Sequence, residues 1–171
     1  MIPASPLGPI EAKIAWVRAC NDRFGERLLN DIRVSAQIET LKAATEASFK
    51  EMTRSGVREM CRRCETEEGG SCCGAGLENR YDGWLLLINA LLGVTIPAER
   101  WRKDACFFLG ETGCRLRARH VICINYVCKK ITDAFSPSRL EKLREREGEE
   151  IQTLFRLNES IKALLTKWTS G

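Results

Sequence analysis

A mainly α fold is predicted, with two long amphipathic helices supporting an irregular cysteine-rich metal-binding module. Three observations predict it: helical stripes at the two ends of the 171-residue chain, eight cysteines crowded between them, and no convincing strand alternation in that middle zone. The length suffices for one domain with a real core, so neither disulfides nor metal is needed merely to offset small size. The expected organisation is a single domain over 1–171. A module at 56–130 is flanked by helices at 23–54 and 137–169.

A proline-marked lead opens the chain. Ile10, Ile14 and Val17 then repeat at helical spacing, and Asn21 or Asp22 offers a cap for the next helix. Leu28, Ile32, Ile38, Leu41, Phe49 and Met52 form the stripe of the helix expected over 23–54, with Gly56 as its stop. In the middle zone Tyr81 to Leu92 reads as a helix with a broad apolar surface. Shorter helices are expected over Pro97–Lys103 and Asn125–Phe135. Ser136 and Pro137 suit the start of the last helix. There Ile151, Leu154, Asn158, Ile161, Leu165 and Trp168 step by threes and fours, a heptad-like seam. Its partner is expected to be the first long helix of the same chain, although pairing with a second protomer would also fit. Residues 139–150 are almost all charged and read as a solvated helix face with i,i+4 ion pairs.

The formal net charge is +4 with 29% charged residues, but Lys and Arg are mixed with Glu along most helices. A nucleic-acid face would show a purer basic stripe, so nucleic-acid binding is disfavoured. The apolar run Trp84 to Ile96 has 13 residues and contains Asn89 and Gly93. A bilayer span needs about 20, so this run reads as a buried helix. The N-terminus lacks the basic and apolar regions of a secretory signal, which makes a reducing cytoplasm the expected location. Clustered thiols there favour metal ligation over disulfides, and the total of nine cysteines fits poorly with complete pairing.

The cysteines run Cys61-x2-Cys64-x7-Cys72-Cys73, then Cys106-x7-Cys114-x8-Cys123-x4-Cys128. A C-x2-C step lets two thiolates converge on one metal or on neighbouring irons. Redox thiols share that spacing, but the βαβ context of a thioredoxin-like motif is missing. Gly69, Gly70, Gly74 and Gly76 bracket Cys72-Cys73 and could bring backbone amides to a site. Apolar neighbours such as Phe107, Phe108 and Leu109 would shield sulfur from water. Cys20 stands apart and reads as a small buried hydrophobe.

His120 is the only histidine, three residues before Cys123. It reads as a turn residue more than as a ligand. Arg117 and Arg119 could donate to a thiolate group or to an anion. Glu78 and Asp82 read as residues that bias the next helix start, and Trp84 and Trp101 as core or edge anchors. Walker, dinucleotide, H-E-x-x-H and serine-elbow motifs are missing.

These residues resemble the YkgJ-type cysteine-cluster family of zinc- or iron-chelating domains, over roughly 61–128. Cys61 and Cys64 match its first step, Cys72-Cys73 its pair, and Cys106-Phe107-Phe108-Leu109 its next element. Gly113-Cys114 and Arg119 to Cys123 complete the pattern. The gap between Cys64 and Cys72 is longer than usual, and His120 stands where proline is usual. The resemblance implies Cys61, Cys64, Cys73, Cys106, Cys114 and Cys123 as cofactor-binding residues, with Cys72 and Cys128 as further metal ligands.

The expected function is a cysteine-ligated metalloprotein holding an iron–sulfur cluster, for electron transfer or maturation of a partner enzyme. The alternatives are a structural zinc-binding interaction module and an iron–sulfur or metal-dependent enzyme with an open metal site. A protein partner is expected, and an oligomer through the long helices is compatible with the pattern.

Overall fold

The computed structural model describes residues 8–69 and 72–169. The first seven residues of the proline-marked lead, Gly70 and Ser71 of the glycine-rich turn and the last two residues of the chain lie outside that range. The fold is mainly helical. Its long elements are α1 (Ile10–Leu29), α2 (Ile32–Ser55), α3 (Val57–Glu67), α4 (Gly83–Leu91) and α7 (Pro137–Thr169). A 3₁₀ turn (Leu77–Arg80) precedes α4. A two-stranded antiparallel ribbon, β1 (Leu109–Gly110) with β2 (Gly113–Cys114), follows it, and then come the short helices α5 (Val121–Asn125) and α6 (Lys129–Ala134). Among the described residues no helix is long and apolar enough to cross a membrane.

The helix expected over 23–54 is two helices. Helix α1 runs through Asn21 and Asp22 and buries Ile10, Ile14, Val17, Cys20, Phe24 and Leu28. The break falls at Asp31, whose carboxylate accepts hydrogen bonds from the amides of Arg33 and Val34 at 3.0 Å each. A capping carboxylate satisfies amides that an uninterrupted helix would pair with its own carbonyls. Helix α1 packs mainly on α4, whereas α2 makes its most extensive contact with α7. The long helices therefore pair within one chain, as the two stripes suggest.

Gly56 ends α2 in the left-handed region at φ 84°, with the Phe135 ring close by. A side chain there would be strained in backbone conformation. The chain turns at once into α3, which carries Cys61 and Cys64. Residues 97–103 form bends and turns rather than the expected helix. The span 125–135 is interrupted, with α6 starting only after Cys128. Tyr126 to Cys128 are extended or irregular, so the turn into α6 begins anew with Cys128 as its N-cap residue. Segment 97–103 is held by its side chains instead: Arg100 reaches Glu78, and Arg102 reaches Glu65 at 2.5 Å.

The charged face expected at 139–150 is also corrected. Leu143, Glu147 and Glu150 are all buried against the rest of the fold. Leu143, Glu147, Glu150, Leu154, Leu157 and Ile161 alternate in steps of four and three, with a further step of four to Leu165, so the heptad-like seam extends N-terminally through two glutamates. Leu157, fully buried, belongs to it as well.

The main core joins α1, α4, α7 and the ribbon. A smaller one gathers Val57, Ile131 and Leu143 with Met52, Met60 and Phe135 around them. Asp82 caps α4, accepting from the Leu85 amide at 2.8 Å. Within this apolar helix Asn89 is fully buried. Its Nδ2 donates to the carbonyls of Leu85 and Ala118, and its Oδ1 accepts from the amides of Arg117 and Ala118. One side chain thus pins the loop before α5 onto α4. Asn89→Ala leaves three backbone groups of that loop without their partner, and a destabilisation of about 2 kcal/mol or more is expected in urea denaturation.

Candidate thiol site

Two irregular segments bring the thiols together. Gly74 and Ala105 form an isolated antiparallel bridge. The Cys106 amide donates to the Cys73 carbonyl at 2.6 Å, and the Ala75 amide to Asp104 at 3.0 Å. That register sets Cys73 directly opposite Cys106. Glu78 holds the two segments in place. Its buried carboxylate pairs with Arg100 and accepts from the amides of Gly76 at 2.9 Å and Phe107 at 3.4 Å. Arg100 also donates to the Ala105 carbonyl. Burial works to raise the Glu78 pKa, but Arg100 and the surrounding amides together hold it below the ordinary carboxylate value.

Cys73, Cys106, Cys114 and Cys123 line one small cavity of about 80 Å³, with Leu77, Tyr81, Leu109 and Arg119 completing its wall. The ribbon delivers Cys114, paired in register with Leu109, and α5 delivers Cys123. The Tyr81 ring is buried against Phe108, with centroids 4.9 Å apart. Its hydroxyl donates to Cys123 Sγ at 3.6 Å and accepts from the His120 amide at 3.1 Å.

A second, outer group surrounds the first. Cys61 and Cys64 come from α3, Cys72 from the turn before the bridge, and Cys128 from the start of α6. The ionisation of Cys61 is opposed by Cys128, Cys72 and Cys64, which places these sulfurs within electrostatic reach of one another. No disulfide joins the cysteines among the described residues. Cys106 is buried, whereas Cys61 and Cys72 are exposed as residues.

Burial is the largest cause raising the Cys61, Cys72, Cys73, Cys106, Cys114 and Cys123 thiols, and at Cys61, Cys72 and Cys73 the neighbouring sulfurs come next. The Cys73 thiol is pushed up to about 12, and those of Cys106 and Cys61 to about 11. Cys123 is raised by burial as well, against the opposing pull of the Tyr81 hydroxyl and Arg119.

Arg119 connects this site to the long helices. Its guanidinium lies 3.6–3.7 Å from Met52 Sδ on α2 and 3.5 Å from Glu150 on α7. Glu150 is buried and makes no aligned hydrogen bond. Burial raises its pKa, and Arg119 opposes that rise.

The expected metal centre is corrected by this geometry. Among the described residues no group of three or more His, Cys, Asp or Glu side chains is arranged to hold a metal ion. This overturns the iron–sulfur cluster expected on Cys61, Cys64, Cys73, Cys106, Cys114 and Cys123, and equally the zinc alternative. The physical reason is division and desolvation. Those six residues are divided between the outer and inner groups, and burial disfavours the thiolates of Cys61, Cys73, Cys106, Cys114 and Cys123, whereas a metal-binding thiol must be deprotonated. His120 is not among ligands either. Its Nδ1 accepts from the Ile122 amide at 3.2 Å as the cap of α5.

Of the other expected residues, Cys20 is buried, Trp84 packs edge-on against Trp16, and Trp101 is exposed beside Arg102. Asp82 starts α4, as its position suggests. Sequence reasoning missed the clamp made by Glu78 with Arg100. A signal existed in an acidic residue two positions after Gly76, but its partner lies 22 residues away. No family model, curated protein or solved structure matches the chain. The resemblance to the cysteine-cluster family therefore rests on the sequence motifs alone.

Two outcomes follow. Unfolded thiols ionise near 9, whereas Cys106 and Cys73 hold their protons to about 11 and 12. In the window between these values the folded state binds more protons than the unfolded state. Stability is therefore fully present below pH ~9 and falls as pH rises toward 12, which urea midpoints across that range would record. Tyr81→Phe removes the hydroxyl that favours the Cys123 thiolate. Alkylation of Cys123 at fixed alkaline pH should slow by roughly two- to tenfold, the span of a hydrogen bond worth about 0.5–1.5 kcal/mol.

Proposed function

We propose that this chain exchanges electrons with a partner protein as dithiol against disulfide. The observation that carries this reading is the convergence of Cys73, Cys106, Cys114 and Cys123 on one small cavity. Residues directly opposite in a hydrogen-bonded antiparallel pair have Cα atoms about 5.5 Å apart, inside the roughly 4.4–6.8 Å that a disulfide bridges. The bridge register gives Cys73 and Cys106 that relation.

In the forward step a Cys73–Cys106 bond forms as two thiols lose two protons and two electrons. The electrons reduce one disulfide of the partner to two thiols, through a mixed disulfide. Cys73, half-buried where Cys106 is buried, attacks the partner's disulfide and releases one partner thiol, and Cys106 then displaces the second partner sulfur from the mixed disulfide. Exposed Val121, Ile122 and Tyr126 lie around Cys123 and Cys128 and supply an apolar docking face. Neutral thiols attack slowly, so exchange accelerates with pH and when a docked partner removes a proton. A reducing compartment would keep the nine thiols in the free state.

The test is redox equilibration followed by alkylation and peptide mass analysis. Two thiols should become unreactive together, with a Cys73–Cys106 linked peptide that Cys73→Ser abolishes. If all nine thiols still react at potentials up to roughly −180 mV, the poise of an oxidising compartment, the reading fails.

A further inference from the structure

A second concavity lies far from the thiols along the chain, between α2 and α7. It has a volume of about 390 Å³ and is lined by Arg33 and Gln37 from α2 and by Phe155, Arg156, Glu159 and Ser160 from α7. That volume falls within the ~300–1,000 Å³ usual for small-molecule sites. Arg33 and Arg156 make no ion pair among the described residues, whereas the other charge on the wall, Glu159, is tied to Lys162 at 3.1 Å. Ser160 is only 5% exposed, yet its Oγ has no hydrogen-bond partner, and neither does the buried Gln37 Oε1. Phe155 is 63% exposed on the same wall.

Buried polar atoms without partners cost free energy unless something completes them. Here the unsatisfied atoms sit beside two uncompensated guanidinium groups and an open aromatic ring. We propose that this groove binds a small organic anion, a carboxylate or phosphate carried on an aromatic body. The guanidinium groups of Arg33 and Arg156 take the anionic head, for which their planar donor forks are suited. The Ser160 hydroxyl donates a further bond to the head. Gln37 Oε1 accepts from a hydroxyl or amide on the ligand body, and Phe155 packs against its ring. The site is independent of the thiol reading, because none of its residues belongs to either cysteine group.

The test uses phenyl phosphate and benzoate as probes and phenol as the neutral control, followed by amide chemical shifts. Both anions, or the preferred one of the two, should saturate shifts at residues 33–37 and 155–163, while phenol leaves them unmoved. The tighter anion identifies the head group. Arg33→Met and Arg156→Met should each weaken binding by about tenfold or more, as expected for a lost charge-assisted bond. Ser160→Ala should weaken it less and leave the helical signal unchanged. The proposal is overturned if neither anion moves the shifts at ~10 mM, by affinities that the arginine variants leave unchanged, or by sedimentation showing that a second copy of the chain fills the groove.

Discussion

Glu78 is the carboxylate on which the thiol region depends. It is buried on a turn with almost no regular structure, where no helix or sheet would otherwise hold the segments together. Its two oxygens gather Arg100 and the amides of Gly76 and Phe107, and Arg100 passes the contact on to Ala105. Removing one partner of such a buried pair leaves the other charge uncompensated, which costs far more than a surface ion pair contributes. The register that faces Cys73 toward Cys106 is thus a consequence of electrostatics on a short turn rather than of an extended sheet.

A parallel arrangement joins the thiols to the helices. Asn89 fixes the backbone before α5, and that loop projects Arg119 between the cavity and the α2–α7 pair. On the far side waits Glu150, a buried carboxylate on α7. Arg119 is therefore the cation shared by a desolvated glutamate and by the thiols of Cys114 and Cys123. The interior between the two long helices is unusually polar for a seam. It contains Ser48, Glu147, Glu150 and Ser160 as buried residues.

Much of the helical framework was legible in the sequence because stripes of Ile, Leu and Val carry period information directly. The pairing of two long helices and the role of Gly56 followed from it. The break at Asp31 was not legible, since an aspartate at a helix start and one on an exposed helix face look alike until the chain's direction is known. Glu147 and Glu150 were read as solvated because charge outweighs position in a pattern, although both continue the spacing of Leu154 and Ile161. For the site, cysteine density correctly indicated where thiols gather. It could not indicate that they gather as two groups, because spacing along an irregular chain does not specify where sulfur atoms point. Asn89 carried the clearest unused signal: a carboxamide inside an apolar helix must find partners.

The joint at Asn30 and Asp31 has a consequence for how the chain tolerates change. Within a continuous helix each added residue rotates everything beyond it by about 100°, which would turn a buried stripe toward solvent. Here α1 answers to α4 and α2 answers to α7, with little contact between α1 and α2 themselves. Length variation at this joint would be absorbed as a change in the path between two separately anchored helix pairs. The same insertion a few residues later, inside α2, would move Val34, Ile38 and Leu41 off the seam together. The Asn30–Asp31 joint is thus a place where evolution can edit the chain without rewriting its interior.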